Sequence, residues 1–425
     1  MLTLHHFAQI LKTMTRYRYT HTLAIALMAA MSLVGCSSGQ ETPDTTAQKA
    51  ENKIPIDTAL RSRLKDFAER PRPAGKFAFH VYDITAEKTV YGHNEDMSLP
   101  SASCMKLLSG VAGLHLMGCN YQYSTALYTR GTCKADGVWE GDIAFRAGLD
   151  PQLMPADLTP FAKTLRQKGV KRVSGRIIVD LTITDPVQSE QHWYPWDLSF
   201  SRYGLLYKGA PRVMKHLKAA LRAQGIAVAD SQMVLGRTTR NFQCRYVHRL
   251  PIDEVVKRMW KNSSNTQATS MLYTIGHRAN RKAHPVSAGV AYLRHFLQQE
   301  LGLKDSTLVI HDGCGLCTHN RLSPRALTAI LEYGYADSGI RSSLERNLSI
   351  AGVDGTLARE MGSSKLRGKI RAKTGTLSHP YGISSLAGLC EGSNGHVLAF
   401  AIMDSEMSVL DARVLQRKLC EALVK

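Results

Sequence analysis

The chain has 425 residues, 44% apolar and 21% charged. That is the balance of a globular protein with room for two or three domains, and it excludes a disordered or fibrous chain. Lys and Arg number 54 against 35 Asp and Glu, a formal charge of +19, which draws anionic partners. No nucleic-acid partner is expected, because no helix-turn-helix, zinc finger or Arg–aromatic motif accompanies the charge.

In chain order, Lys12, Arg16 and Arg18 precede a short apolar run, Leu23 to Ala30, and Leu33-Val34-Gly35-Cys36 follows. The run is shorter than the roughly 20 apolar residues a membrane span needs and has the layout of a secretion signal. Residues 1–35 are therefore read as a signal peptide and the polar residues 36–53 as a flexible tether. Leu60, Leu64 and Phe67 share one helical face in residues 54–69. Phe77, Phe79 and Val81 alternate in a strand over 76–83, paired with a second over 89–93. A helix beginning near Ser103 carries Leu107, Leu108, Val111, Ala112 and Leu114.

The pattern then changes. A strand over 142–147, a helix over 156–168 stopped by Gly169, a β-branched strand over 177–182 and an amphipathic helix over 210–224 stopped by Gly225 form a mixed α/β stretch. The expected organisation is thus a catalytic domain in two parts, 54–116 and 246–425, with an inserted accessory domain at 117–245. In the second part, Val255, Val256 and Met259 mark a helix and residues 370–376 a strand. Residues 386–390 and 396–403 form a hairpin, and a last helix spans 408–423.

Three short motifs carry the chemistry: Ser103-x-x-Lys106, Ser263-Ser264-Asn265 and Lys373-Thr374-Gly375. Residues three apart on a helix share a face, so the Lys106 amine reaches the Ser103 hydroxyl. A serine attacks well only when a neighbouring base takes its proton, and burial or a nearby cation lowers a lysine enough to do so. Ser263 and Asn265 are expected on a turn. There Ser263 can relay a proton to a leaving amine, and Asn265 can hold a substrate amide through its donor and acceptor. The strand bearing Lys373, Thr374, Gly375 and Thr376 can take a peptide as an added strand. The N–H of Thr376 and that of Ser103 would form an oxyanion hole. Lys373 would bind a substrate carboxylate and help depress Lys106.

The ordered trio resembles the signature of β-lactamases and penicillin-binding proteins. Three more strings extend the likeness: Ser349 to Leu357, Arg371 to Leu377, and Asp312-Gly313-Cys314-Gly315-Leu316 before His319-Asn320. Together they resemble the class C low-molecular-mass penicillin-binding proteins of the penicillin-binding protein 4 type. These are D-alanyl-D-alanine carboxypeptidases and endopeptidases. The resemblance implies an antiparallel sheet flanked by helices, the transpeptidase fold shared with β-lactamases, with the α/β insertion. It implies Ser103 as the acylated nucleophile, Lys106 as base, and Ser263, Asn265 and Lys373 completing the catalytic set. Thr374, Gly375 and Thr376 would bind substrate, and Asp197 would contact the diamino acid side chain. Peptidoglycan would be the substrate and β-lactams covalent inhibitors, with neither metal nor organic cofactor. Where the family shows Ser-Gly-Leu-Ser-Arg, this chain has Cys314-Gly315-Leu316-Cys317-Thr318. The arginine is missing, and Arg321 stands nearby.

Leu-Val-Gly-Cys is similar to the bacterial lipoprotein processing box. That implies a lipid anchor at Cys36, and Ser37 fits the outer membrane of a Gram-negative periplasm. Setting Cys36 aside leaves eight of the nine cysteines, an even number that permits disulfides. Cys119 and Cys133 flank a hairpin-like segment and make one candidate pair. Cys314 and Cys317 stand at family serine positions, which favours small-residue replacement or a local disulfide over a zinc site lacking a four-ligand layout. Two other functions fit the same motifs: a β-lactamase, and a non-catalytic wall-binding lipoprotein on the same scaffold.

Overall fold

The structure, a computed structural model, describes residues 54–197, 203–378 and 382–424. The expected signal peptide and tether, with Cys36, lie outside the described residues.

Helix α1 (Thr58–Glu69) opens the fold, its first turn capped by Asp57, which accepts a hydrogen bond from Leu60 N, with Leu60, Leu64 and Phe67 buried. Strands β1 (Lys76–Asp83), β2 (Lys88–His93) and the short β3 (Leu99–Pro100) lead to a 3-10 turn, Ala102–Cys104, and helix α2 (Met105–Met117). Every residue of α2 from Met105 to Leu114 is buried, as befits a helix apolar on all sides.

The middle of the chain holds β4 (Gln122–Cys133), β5 (Val138–Ala147), α3 (Thr159–Gln167), β6 (Arg172–Val173), β7 (Ile177–Leu181), α4 (Ala210–Ala223), β8 (Met233–Leu235) and β9 (Gln243–Pro251). The single helix expected over 156–168 is a 3-10 turn, Pro155–Leu158, followed by α3. Pro155 and Pro160 have no N–H to continue one ladder.

The last third contains α5 (Ile252–Lys261), α6 (Asn265–Ala279), α7 (Pro285–His295), β10 (Arg321–Leu322), α8 (Pro324–Ala336), α9 (Ser338–Asn347), β11 (Ser349–Ile350), β12 (Ile370–Leu377), β13 (Ile383–Glu391), β14 (Val397–Ser405) and α10 (Val409–Leu423).

Two sheets organise these elements. The first runs β11-β12-β13-β14-β1-β2 and is antiparallel throughout, with β1 paired to β14 from Lys76↔Ser405 to Asp83↔Leu398. The second runs β8-β7-β5-β4-β9, with β6 beside β5. It is mixed, because β5–β7 and β7–β8 are parallel and β4–β5 antiparallel. Its parallel steps cross over through α3 and α4, as parallel connections require. The result is an α+β architecture.

Alternation places Phe77, Phe79 and Val81 against α1 and α10, in one core with Ile370, Phe400 and Leu419. Unlike a half-exposed strand, β1 also buries its other face through Ala78 and His80. A larger core joins α2 to the facing helices and to the second sheet. Gly110 makes this packing possible, since a Cβ there would fall 2.5 Å from the Trp260 ring.

The expected Cys119–Cys133 pairing is not formed; both are free thiols. Between them β4 is one 12-residue strand, not a hairpin, and at about 3.3 Å per residue it separates its ends by roughly 40 Å. A disulfide needs Cα atoms within about 7 Å. Cys314 and Cys317 are likewise free and buried, so the local-disulfide reading falls too.

Candidate active site

The three motifs, far apart in sequence, meet at the foot of β12. Lys106 Nζ stands 2.8 Å from Ser103 Oγ, 2.8 Å from Asn265 Oδ1 and 2.5 Å from the Cys314 carbonyl oxygen. Lys373 Nζ donates to Ser263 Oγ at 2.8 Å and to the Thr374 carbonyl at 2.6 Å. Thr374 Oγ1 donates to Thr356 Oγ1 at 2.8 Å. Both lysines are fully buried, whereas Ser103, Ser263, Asn265 and Thr374 are partly exposed and Thr376 is exposed. Cavities of 580 and 660 Å³ lie elsewhere, at Arg371, Leu389 and Cys390 and at Met407 to Leu410.

Ser103 sits in the 3-10 turn entering α2, one residue after Ala102 at φ 43°. That left-handed conformation is costly for a residue with a Cβ and is found where surrounding packing enforces it. Gly315 leaves room for that turn, since a Cβ there would lie 1.8 Å from the Ala102 carbonyl oxygen. Ser263 repeats the pattern at φ 57°. Asn265 is not on a turn, as expected from its composition. It is the first residue of α6, with Ser264 as N-cap, and Ser and Asn serve helix starts as readily as turns.

Trp260 Nε1 donates to the Lys106 carbonyl at 2.7 Å, which pins α5 to α2 one turn before Ser263. At the end of α5, Lys261 pairs with Asp354 at 2.5 Å, and Ser349 Oγ donates to the Lys261 carbonyl at 3.0 Å. The Ser349–Leu357 string therefore anchors the Ser263 segment to β11 and β12.

Burial is the first cause that lowers Lys106, opposed by the nearby Cys314 and Asp312. The repulsion expected from Lys373 falls the other way. Lys373 is held down to about 7, by burial first and then by the Lys106 charge. Two of the three directions around Lys106 Nζ are taken by the fixed acceptors Asn265 Oδ1 and Cys314 O. The third points at Ser103 Oγ, so a neutral amine would aim its lone pair at that hydroxyl. Cys104, next to the serine, donates its S–H to the Lys373 carbonyl at 3.2 Å. Burial pushes its thiol pKa up, which leaves it a poor nucleophile.

Strand β12 closes the site. Its Ile370 carbonyl accepts from Ala351 N, so by the two-residue period Thr374 and Thr376 turn their N–H groups to the same edge. Strand β11 pairs only as far as Ala372 and leaves that edge open. Gly375 allows the approach: a Cβ there would lie 2.3 Å from Ser385 Oγ, 2.9 Å from the Ser101 carbonyl oxygen and 3.0 Å from Ser103 N.

Asp312 is the residue sequence reasoning undervalued. It is buried and accepts from Cys314 N, Gly315 N, Cys317 N, Asn320 Nδ2 and Trp193 Nε1 at 2.6–3.0 Å. Its signal was the Asp-Gly-x-Gly string, legible only through resemblance. Asp197 does not reach the lysines or hydroxyls; its carboxylate accepts from Tyr194 N at 2.8 Å and closes its own turn. Arg321 Nη1 is taken up by the Thr318 carbonyl at 3.0 Å.

A serine, two lysines and an asparagine around an open strand edge define the class of penicillin-binding serine hydrolases, and the fold agrees. It superposes on penicillin-binding protein 4 from Haemophilus influenzae with a TM-score of 0.72 at 19% identity, covering 85% of this chain and 99% of that one. Against the same protein complexed with a β-lactam the score is 0.68. The chain belongs to the D-Ala-D-Ala carboxypeptidase 3 (S13) family, matched over residues 60–203 and 206–423. Among curated relatives, the D-alanyl-D-alanine carboxypeptidase DacB of Haemophilus influenzae is 21% identical, over 81% of this chain and 88% of that protein. The D-alanyl-D-alanine carboxypeptidase of Actinomadura sp. strain R39 is 22% identical, over 82% and 81%. The protein is therefore a carboxypeptidase of the penicillin-binding kind.

Proposed function

We propose that the protein hydrolyses D-alanyl-D-alanine ends and D-centred cross-links of peptidoglycan through an acyl-enzyme on Ser103. The observation that carries this reading is the 2.8 Å contact between Ser103 Oγ and a buried Lys106 Nζ. Neutral Lys106 takes the Ser103 proton as Oγ attacks the scissile carbonyl. The tetrahedral oxyanion is held by the N–H groups of Ser103 and Thr376. The C–N bond breaks as the departing amine takes a proton from Ser263, which is resupplied through Lys373 by the proton Lys106 took, so both lysines end as they began. Neutral Lys106 then takes a proton from water as the water oxygen attacks the ester, the C–O bond breaks, and Lys106 returns that proton to Ser103 Oγ. Asn265 holds a substrate amide. Lys373 with Thr374 receives the terminal carboxylate, and the Gly375 stretch takes the peptide as an added strand. No step calls on a metal or organic cofactor. A β-lactam would stop at the acyl stage.

The residue 117–245 stretch is read as an accessory domain that shapes the cleft, with Asp197 in its substrate-facing loop. Lipidation at Cys36 would tether the enzyme in the periplasm at the outer membrane, within reach of its polymer. Multiple acyl chains would make that tether firm.

The test is labelling with a fluorescent penicillin alongside D-alanine release from a peptide ending in D-Ala-D-Ala. The wild type takes one label and releases D-alanine, while Ser103→Ala does neither. Labelling that persists in Ser103→Ala would remove this serine from the role.

A further inference from the structure

The second sheet carries its helices on one face only. Ile143, Phe145 and Ala147 of β5 share a core with Phe161 of α3 and Leu217 of α4, so the two-residue period of the strand turns Asp142, Ala144 and Arg146 the other way. Register extends that second face across the sheet. Arg130 stands opposite Asp142, Asp180 beside Arg146, and Arg249 opposite Ser124, two positions from the Ala126 that faces Arg146. Two buried carboxylates form its base. Asp142 accepts from Arg130 at 2.5 Å and from Arg176 at 3.3 Å, and Asp180 accepts from Arg237 at 3.0 Å, while the three arginine side chains stay 42%, 61% and 79% exposed. Arg130 also lies over the Phe242 ring, and Arg146 over that of Tyr128, donating to its hydroxyl at 2.6 Å. Arg146 and Arg249 are exposed, and among the described residues no carboxylate pairs with either. Several guanidiniums are thus fixed in direction and left open to solvent. The patch also reaches toward the catalytic centre. His277, near the end of α6, is held below its ordinary value by burial and then by the Arg281 and Arg237 charges, so Arg237 stands close to the helix that begins with Asn265. At about 1.5 Å per residue, His277 and Asn265 are roughly 18 Å apart along that helix.

We propose that this arginine face docks the peptidoglycan polymer through free carboxylates of stem peptides neighbouring the one being cut. The inference rests on the hydrolytic reading, which makes that polymer the substrate. A planar guanidinium fork matches a carboxylate in shape and charge, and a polymer whose stem peptides repeat presents such carboxylates at intervals. An anionic membrane would suit the face less well. Lipid surfaces are met by clustered basic side chains with apolar ones inserted between them, whereas here the apolar Ala144, Ile178 and Phe242 are buried under the arginines. The face would keep the enzyme on the polymer between cuts.

The experiment sediments the full chain with isolated sacculi after exposure to penicillin, which blocks the cleft. Wild type is expected to bind, and to bind about tenfold more weakly once the sacculus carboxylates are converted to amides. Arg146→Glu with Arg249→Glu should weaken binding to native sacculi about tenfold, the scale of two exposed charge pairs reversed. Arg61→Glu with Lys418→Glu makes the same change in net charge on α1 and α10 and should shift binding by less than about twofold. Equal binding to native and amidated sacculi, or equal losses in the two double variants, overturns the docking face. Tighter binding to phosphatidylglycerol vesicles than to sacculi, lost in Arg146→Glu with Arg249→Glu, assigns the face to lipid and overturns it too. Labelling with a fluorescent penicillin shows that each variant is folded, and the amidation arm uses wild type alone, so it decides the matter even if the patch variant misfolds. Sedimentation needs no turnover. A protein that docks through Arg146 and Arg249 but neither labels nor releases D-alanine would sink the hydrolytic reading alone, and one that labels but does not sediment would sink the docking face alone.

Discussion

Asp312 governs Lys106 without touching it. The carboxylate accepts from Cys314 N at 3.0 Å and Gly315 N at 2.6 Å, and so turns the Cys314 carbonyl toward Lys106 Nζ, 2.5 Å away. Gly313, between them, accepts through its carbonyl from Ser109 Oγ on α2 at 2.7 Å. The loop is held at both ends, and the lysine inherits its position from a backbone carbonyl.

Asp312→Ala takes the acceptor from three backbone N–H groups, the Trp193 indole and the Asn320 side-chain amide in a buried place. Each costs about 1–3 kcal/mol, so thermal unfolding should fall by many degrees. In molecules still folded by circular dichroism, misplacing the base by about 1 Å should slow penicillin acylation roughly 10²-fold. Ser109→Ala removes one bond in the same loop and should cost about 1 kcal/mol with acylation close to wild type.

Lys106→Met keeps the length and apolar stem of the side chain and removes the amine. General-base catalysis contributes about 10²–10⁴-fold, so the acylation rate, followed by stopped-flow with a fluorescent penicillin, should fall by about 10³. Unfolding temperature should change little, because exchanging a buried amine for an apolar group offsets the lost hydrogen bonds.

Lys373 titrates near 7, which sets a pH signature. Below about 7 it is an ammonium that attracts a carboxylate; above, it is neutral. Apparent affinity for a carboxylate-bearing β-lactam should weaken as pH rises through 7, while its neutral methyl ester should show no such loss. Equal pH profiles for acid and ester would take Lys373 out of carboxylate recognition.

Asp404 on β14 is buried beside Gln416, and burial raises its carboxyl from 3.8 to about 8. The folded protein therefore keeps a proton that the unfolded chain sheds above about 4. Its destabilising effect is absent below pH 4 and grows as pH rises to about 8. Asp404→Asn should unfold several degrees higher than wild type at pH 8, and that gap should close near pH 4. A gap independent of pH would mean that Asp404 is not protonated in the fold.

The amino-acid sequence on its own determined much of the local structure and named side chains that the fold brings together. The spacing of Leu60, Leu64 and Phe67, the alternation of Phe77, Phe79 and Val81, and the three-residue step from Ser103 to Lys106 are short-range consequences of helix and strand geometry, and they hold in the fold. What only the tertiary structure decided is how those groups are held. The Cys314 carbonyl, the Trp260 indole on the Lys106 carbonyl and the approach of Gly375 to the Ser103 amide depend on backbone atoms and on contacts between segments more than 100 residues apart. Backbone atoms are the same in every residue and leave no mark in a sequence, and the direction of a carbonyl is set by the packing around it. For the same reason Cys119 and Cys133, close along the chain, could not be seen to stand too far apart for a disulfide until the segment between them was known to be one continuous strand.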